Sequence, residues 1–344
     1  MIQPLPPRAI LEDGIAARAF PGAVCHLSRR AEILFHEAVG TLGYDAPFDV
    51  PATRETIYDL ASVTKIYTFT VALCILRDAK IALDTSLHAF YPVFDAEITL
   101  EHLMAHASGI SFPIQALEKV AANQWIERIA AEPRADAPGN SVLYSCTNIF
   151  LLARVAENVA GTSLDEIIQN RILGPLGLEN TSFAPSDLEN VAPTEFYEGG
   201  VWRGTVHDEA ARSWRAQTGT CAGNAGVFAP AADVARFAQI WSQNEGEILH
   251  PDDLTRAFAA RYAENDYARG LGFQLDAAFY MSDQAPHGTA GHLGFTGPSL
   301  VLNPQSGHVA VVLNNRVHPT RNGPNRLPFQ RQISAWMFGG GESA

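Results

Sequence analysis

In "DLASVTKIYTFTVALCILRDAK" the run Ile66–Leu76 contains no charged residue, yet it directly follows Lys65, one of only three lysines in the chain beside Lys80 and Lys119. A bilayer span needs about 20 apolar residues, so this run is too short to cross a membrane. A helix that is apolar all round has to be covered on every side by other elements. The chain must therefore build layers around this segment, and a charge at its end must be accommodated among them.

The chain has the means to do so. Its 344 residues are 47% apolar and 18% charged, the balance of a globular protein with one large or two ordinary domains. A net charge of −13 without a long basic block argues against nucleic acid or an anionic membrane surface as partners. The first twenty residues lack the basic and apolar regions of a signal peptide, so a cytoplasmic protein is expected. Cys25, Cys74, Cys146 and Cys221 are scattered without CxxC spacing, which reads as reduced thiols rather than a disulfide framework or a zinc site.

Along the chain, Pro7–Phe20 has helical character, and "GAVCHLSRR" and "AEILFHEAVG" pattern as a hairpin. From Thr85 to Arg261 the signals are mainly helical. "TLEHLMAHASGI" is expected to be a helix stopping at Gly109. "NIFLLARVAENVAGTSLDEIIQNRILGPLGL" reads as two helices broken at Gly161, the second closing at Gly174-Pro175. "PAADVARFAQIW" is amphipathic. "GLGFQL", "SLVLNP" and "HVAVVLNN" return to strand character before a closing helix, "NRLPFQRQISAWMF". This order predicts an α+β fold: an antiparallel sheet flanked by N- and C-terminal helices, with a mainly helical domain inserted. Residues 1–84 and 262–344 would form the sheet domain, and 85–261 the inserted one.

Three places carry chemistry. Ser62 and Lys65 form an S-x-x-K pair, whose members share a helix face at i, i+3. Serine needs a base to become a nucleophile, and lysine can be that base if desolvation or a positive potential lowers its pKa. Tyr144 stands before an apolar helix in "PGNSVLYSCTNIFLLARV"; there a tyrosine can serve as base or proton relay, or simply bond a backbone group. In "GTAGHLGFTGPSLVLNP", His292 can change charge near neutral pH. Gly294 permits close backbone approach, so an N–H beside it suits an oxyanion hole. His102 and His106 share a helix face at i, i+4, but Leu103 and Ala105 break the HExxH pattern and no third ligand is evident, so no metal is expected. Neither G-x-S-x-G nor a nucleotide-binding glycine pattern occurs.

Together these segments resemble the serine β-lactamase and penicillin-recognising family, in its class C-like branch with family VIII carboxylesterases and DD-peptidases. Ser62-Val63-Thr64-Lys65 matches the first motif, Tyr144-Ser145-Cys146 stands in the place of Y-x-N, and His292-Leu293-Gly294 in that of K-T-G or H-T-G. "LEHLMAHASGI", "PGNSVLYS", "GPLGLENTSF", "TVHDEAA", "AGNAGVF" and "GHLGFTG" fit the same branch in order. The resemblance implies that Ser62 is acylated, that Lys65 and Tyr144 carry its proton to the leaving group, and that His292 assists. It also implies an oxyanion hole from the backbone N–H groups of Ser62 and Phe295, with Cys146, Leu293, Gly294 and Phe295 at the substrate, and no metal or organic cofactor.

Departures from the family pattern bear on the substrate. Cys146 replaces the usual Asn, and a thiol cannot supply an amide's two bonds; it is expected to be a small buried residue. Asn148 would face another side of the helix. Leu293 and Phe295 remove hydroxyls that would recognise a carboxylate, leaving an apolar wall poorly suited to an anion, though Arg316 offers a counter-charge. The expected activity is that of a serine hydrolase, a carboxylesterase on short or medium acyl esters. DD-peptidase, β-lactamase and acyltransferase chemistry, or a non-catalytic binding role on the same fold, are the alternatives.

Overall fold

The computed structural model describes residues 5–30, 32–243, 248–264 and 266–340; Ala31, in the turn of the expected hairpin, lies outside them. Eight antiparallel strands make the main sheet, in the spatial order Glu32–Gly40, Gly22–Arg29, His308–Asn314, Ser299–Asn303, Ala290–Leu293, Gln274–Leu275, Tyr267–Arg269 and Tyr262–Glu264. The N-terminal hairpin thus joins the C-terminal strands directly, with Ala23 opposite Asn314 and Arg29 opposite His308. The chain leaves the sheet after Gly40 and returns to it at Tyr262.

The sheet is covered on both faces, and the period-2 alternation of strand side chains sorts its residues between them. Ala310 and Val312 face a core with Ile10 and Leu11 of the Pro7–Ala16 helix and Ile333 and Met337 of the Leu327–Phe338 helix. Val309, Val311 and Leu313 face the larger core on the other side. Burial on both faces explains why these strands read as nearly continuous apolar runs.

That larger core includes the Thr64–Asp78 helix, buried from Thr64 to Leu76. On one side lies the Cys146–Ala160 helix. On another, Tyr67 stacks on Phe237 with ring centroids 3.7 Å apart, and Phe69 stacks on Trp241 at 5.4 Å. Phe237 and Trp241 belong to the Ala231–Gln243 helix, which itself packs on the Gly22–Arg29, Ser299–Asn303 and His308–Asn314 strands. This helix falls within the 85–261 segment expected to stand apart as the helical domain, yet its apolar face lies against the sheet.

Two helix ends differ from expectation. "TLEHLMAHASGI" is helical only over Leu100–Met104, because His106 takes a left-handed backbone (φ +56°). The second half of the long central pair does not stop at Gly174-Pro175. Proline is accepted at the start of a helical turn, and the chain continues to Leu176 before Gly177 ends it at φ +62°. The break at Gly161 is present, at φ +69°. No helix among the described residues is long and apolar enough to cross a membrane.

Phe237→Ala removes the stacked ring that covers the Thr64–Asp78 helix and is expected to cost about 3–5 kcal/mol, measured as a shift in urea unfolding. A loss below about 1 kcal/mol would contradict this packing role.

Candidate active site

Ser62 lies in a single 3-10 turn, Ala61–Val63, that leads straight into the Thr64–Asp78 helix. Ala61 is forced to φ +44°, a conformation that costs a non-glycine residue free energy and persists only where surroundings impose it. They do so here: the Ala61 N–H donates to Asp59 Oδ1 at 2.8 Å, and the Val63 N–H to the Leu60 carbonyl at 3.0 Å. One turn on, Lys65 Nζ donates to Ser62 Oγ and to the Asn224 carbonyl, both at 2.8 Å. Lys65 is 1% exposed.

The expectation of a lysine with a lowered pKa is reversed. Burial pushes the ammonium toward neutrality, but the negative charge that Cys146 and Tyr144 carry when deprotonated, together with that of Asp208, outweighs it. The net direction is upward. Lys65 is therefore a charged donor at rest.

Tyr144 and Cys146 reach the same place from the Cys146–Ala160 helix. Ser145 caps it, its Oγ accepting from the Thr147 N–H at 3.2 Å. Tyr144, just before the cap, lies over Lys65 with Nζ 5.4 Å from its ring centroid, and is 44% exposed. Its ring lies 4.7 Å from that of His106 and 6.0 Å from that of His292. Cys146 is not the buried core residue expected. It is half-buried and lines the cavity with Ser62, because the first residue of a capped helix projects at the helix end rather than into its packed flank. Asn148 is buried away from the cavity, its Oδ1 accepting from Ser108 Oγ at 2.6 Å.

The third segment follows the Ala290–Leu293 strand. His292 is buried, and its pKa falls to about 3 under burial first, then the charges of Lys65 and Arg269. The expected titration near neutrality is therefore absent, and the imidazole is neutral. Since Leu293 O can only accept, Nδ1 carries the proton that bridges them at 2.9 Å. Gly294 packs so closely that a Cβ there would meet the Leu60 carbonyl at 2.6 Å. The Ser62 and Phe295 N–H groups donate to no protein acceptor among the described residues.

A cavity of about 640 Å³ joins these elements, lined by Ser62, Tyr144, Cys146, His292, Leu293, Gly294 and Phe295. Its wall also has arginines, of which only Arg316 was singled out in the sequence. Buried Arg269 holds its guanidinium 5.6 Å from the Tyr144 ring centroid. Arg316 spends Nε on the Phe295 carbonyl at 2.8 Å and Nη1 on the Arg321 carbonyl at 3.2 Å. Arg326, its pKa lowered to about 9 by burial and then by Arg316, donates to the Gly294 and Gly297 carbonyls at 2.8 Å. His102 and His106 do not act as a pair: His102 Nδ1 accepts from the Thr99 N–H, and His106 Nδ1 from the Ser145 N–H. Arg316 and the "AGNAGVF" segment that holds Asn224 were singled out in the sequence, whereas Arg269 and Arg326 were not. Backbone acceptors and bracing arginines have no local sequence signature.

A family model described as Beta-lactamase matches residues 8–335. Among curated proteins, a provisionally named D-alanyl-D-alanine carboxypeptidase of Escherichia coli (strain K12) is 28% identical over 323 residues, covering 81% of this chain and 73% of that protein. Its counterpart in Salmonella enteritidis PT4 is 27% identical over 322 residues, covering 81% and 74%. Among solved structures, EstCE1, described as a hydrolase with promiscuous acyltransferase activity, aligns with a TM-score of 0.81 at 22% identity, over 96% of this chain and 97% of that one. Unliganded simvastatin synthase LovD from Aspergillus terreus aligns at 0.77 and 18% identity, over 98% of each chain. These structural likenesses establish the fold.

The depressed imidazole pKa values define a pH window. His292 at about 3, His26 at about 4 and His106, also well below the ordinary 6.5, bind protons more readily in the unfolded chain. Their neutral forms therefore support folding above pH 6.5, and that support is lost as pH falls toward 4 and 3. Imidazole resonances of His292 are expected to stay constant from pH 8 to about 5 by NMR. A midpoint near 6.5 would contradict the burial argument.

Proposed function

The chain belongs to the beta-lactamase family and has the fold of its serine hydrolases; from that premise we propose that it cleaves carboxylic esters of short or medium acyl chains through an acyl-enzyme on Ser62. The observation that carries this reading is the contact of Lys65 Nζ with Ser62 Oγ at 2.8 Å, made at the wall of a cavity. Ser62 Oγ attacks the acyl carbon, the new Oγ–C bond forms and the bond to the alkoxy oxygen breaks. The serine proton passes through the Tyr144–Lys65 pair to the departing alkoxide, which leaves as the alcohol. Water then adds to the acyl-enzyme, the acid departs, and the proton returns to Ser62. The N–H groups of Ser62 and Phe295 would hold the oxyanion in both halves.

The cavity wall supports an ester over an anionic substrate. Leu293 and Phe295 are apolar, His292 is neutral, and Arg316 and Arg326 are engaged with backbone carbonyls. A carboxylate placed there would meet few free donors. The curated relatives favour a second reading, cleavage of a D-alanyl peptide. Cys146 weighs against it, because a thiol offers an amide substrate little hydrogen bonding. The acyltransferase activity in the EstCE1 description favours, as an alternative, transfer of the acyl group to an acceptor other than water.

Wild type and Ser62→Ala, assayed on p-nitrophenyl esters, nitrocefin and a D-Ala-D-Ala peptide, decide among these. The wild type is expected to turn over the esters fastest, and Ser62→Ala to reduce that rate by roughly 10³-fold or more. Ester turnover that survives in Ser62→Ala would remove the nucleophile, and nitrocefin or peptide turnover without ester turnover would replace the substrate class. Cys146→Asn is expected to raise the ratio of peptide to ester turnover; an unchanged ratio would contradict the role given to Cys146.

A further inference from the structure

Asp59 touches both segments that carry the candidate oxyanion donors. Its Oδ1 accepts the Ala61 N–H at 2.8 Å, one residue before Ser62. Its backbone carbonyl accepts Thr296 Oγ1 at 2.7 Å, one residue after Phe295. Its other oxygen, Oδ2, accepts the His207 N–H at 2.8 Å, and Asp59 and Thr296 are 2% and 1% exposed. The two segments also meet at Leu60 and Gly294, where the 2.6 Å approach of the Leu60 carbonyl leaves no room for a side chain. From the far side Arg326 holds the Gly294 and Gly297 carbonyls, and Gln330 Nε2 also donates to that of Gly297 at 2.8 Å.

Resting on the reading of Ser62 and Phe295 as oxyanion donors, we infer that Asp59 and Thr296 form a clamp that sets the separation and aim of those two N–H groups. Neither residue lines the cavity, so both are positioning residues. The carboxylate holds Ala61 in its left-handed conformation, which turns the Ser62 N–H toward the cavity. The Thr296 hydroxyl ties the chain after Phe295 to Asp59, three residues before Ser62, so the two donors move as one unit. A clamp of this kind acts on the transition state, where the oxyanion forms, and hardly on the bound ground state.

Thr296→Val keeps the side-chain shape and removes the hydroxyl, while Thr296→Ser keeps the hydroxyl. With a p-nitrophenyl ester, Thr296→Val is expected to lower kcat by about 10–100-fold with KM within about twofold, and Thr296→Ser to recover most of that loss. Asp59→Asn, which turns an amide N–H against a backbone N–H, is expected to show the same kcat loss at unchanged KM and carries the test should Thr296→Val fail to fold. Unchanged kcat in Thr296→Val, a loss not restored by serine, or a loss confined to KM would overturn the clamp. Those results in an enzyme whose ester turnover still requires Ser62 would leave the proposed function standing. Absence of Ser62-dependent turnover in the wild type would instead remove the reading on which the clamp rests.

Discussion

A buried ammonium shared between Ser62 Oγ and the Asn224 carbonyl is the constraint that organises the molecule. Removing a lysine charge from water is costly unless the protein supplies bonds in return. One of those bonds comes from 159 residues along the chain, so the loop around Asn224 has to lie against the Thr64–Asp78 helix. It is fastened there by Thr68 Oγ1 on the Gly223 carbonyl at 2.8 Å and by the Val227 N–H on Thr64 Oγ1 at 3.1 Å. The stacked pairs Tyr67–Phe237 and Phe69–Trp241 then connect the same helix to the layer on the sheet. The charge at the helix end and the apolar run behind it are parts of one arrangement.

Polarity around the cavity follows from how its groups are satisfied rather than from how many charges surround it. Six arginine and histidine side chains, His207, Arg269, His292, Arg316, Arg321 and Arg326, border it. A sequence-level tally would call this a binding site for anions. Yet His292 is neutral, Arg316 and Arg326 brace backbone carbonyls, and Arg321 is paired with Glu195 and Glu209. Much of this positive charge supports the loop after the Ala290–Leu293 strand, whose geometry the proposed chemistry needs.

Sequence patterns revealed much of this where they arise from local periodicity or fixed spacing. Short apolar runs separated by turn residues marked the hairpin and the C-terminal strands, and the i, i+3 spacing placed Lys65 against Ser62 as observed. The early stop of the Leu100–Met104 helix was not legible, since His106 adopts its left-handed backbone for tertiary reasons. The same holds for Ala61, where alanine gives no sign of a strained turn. Protonation states were misread for a related reason. Lys65 and His292 shift in opposite directions from neighbours far away in sequence: negative charge on Cys146, Tyr144 and Asp208 raises the one, while burial with Lys65 and Arg269 keeps the other neutral. Cys146 lies at the cavity, as the family resemblance implied, and not in the core that its residue type alone suggested, because its position at a capped helix start sends it there.

The central claim is that the Lys65-bound Ser62 oxygen is the atom that becomes acylated. Rapid acid quenching of the wild-type protein during turnover of a p-nitrophenyl ester, followed by peptide mass spectrometry, tests it most directly. The account predicts an added acyl mass on the peptide containing Ser62, located on that residue. An acyl group found on Cys146 or another side chain, or turnover with no Ser62 adduct under any quench time, would contradict it.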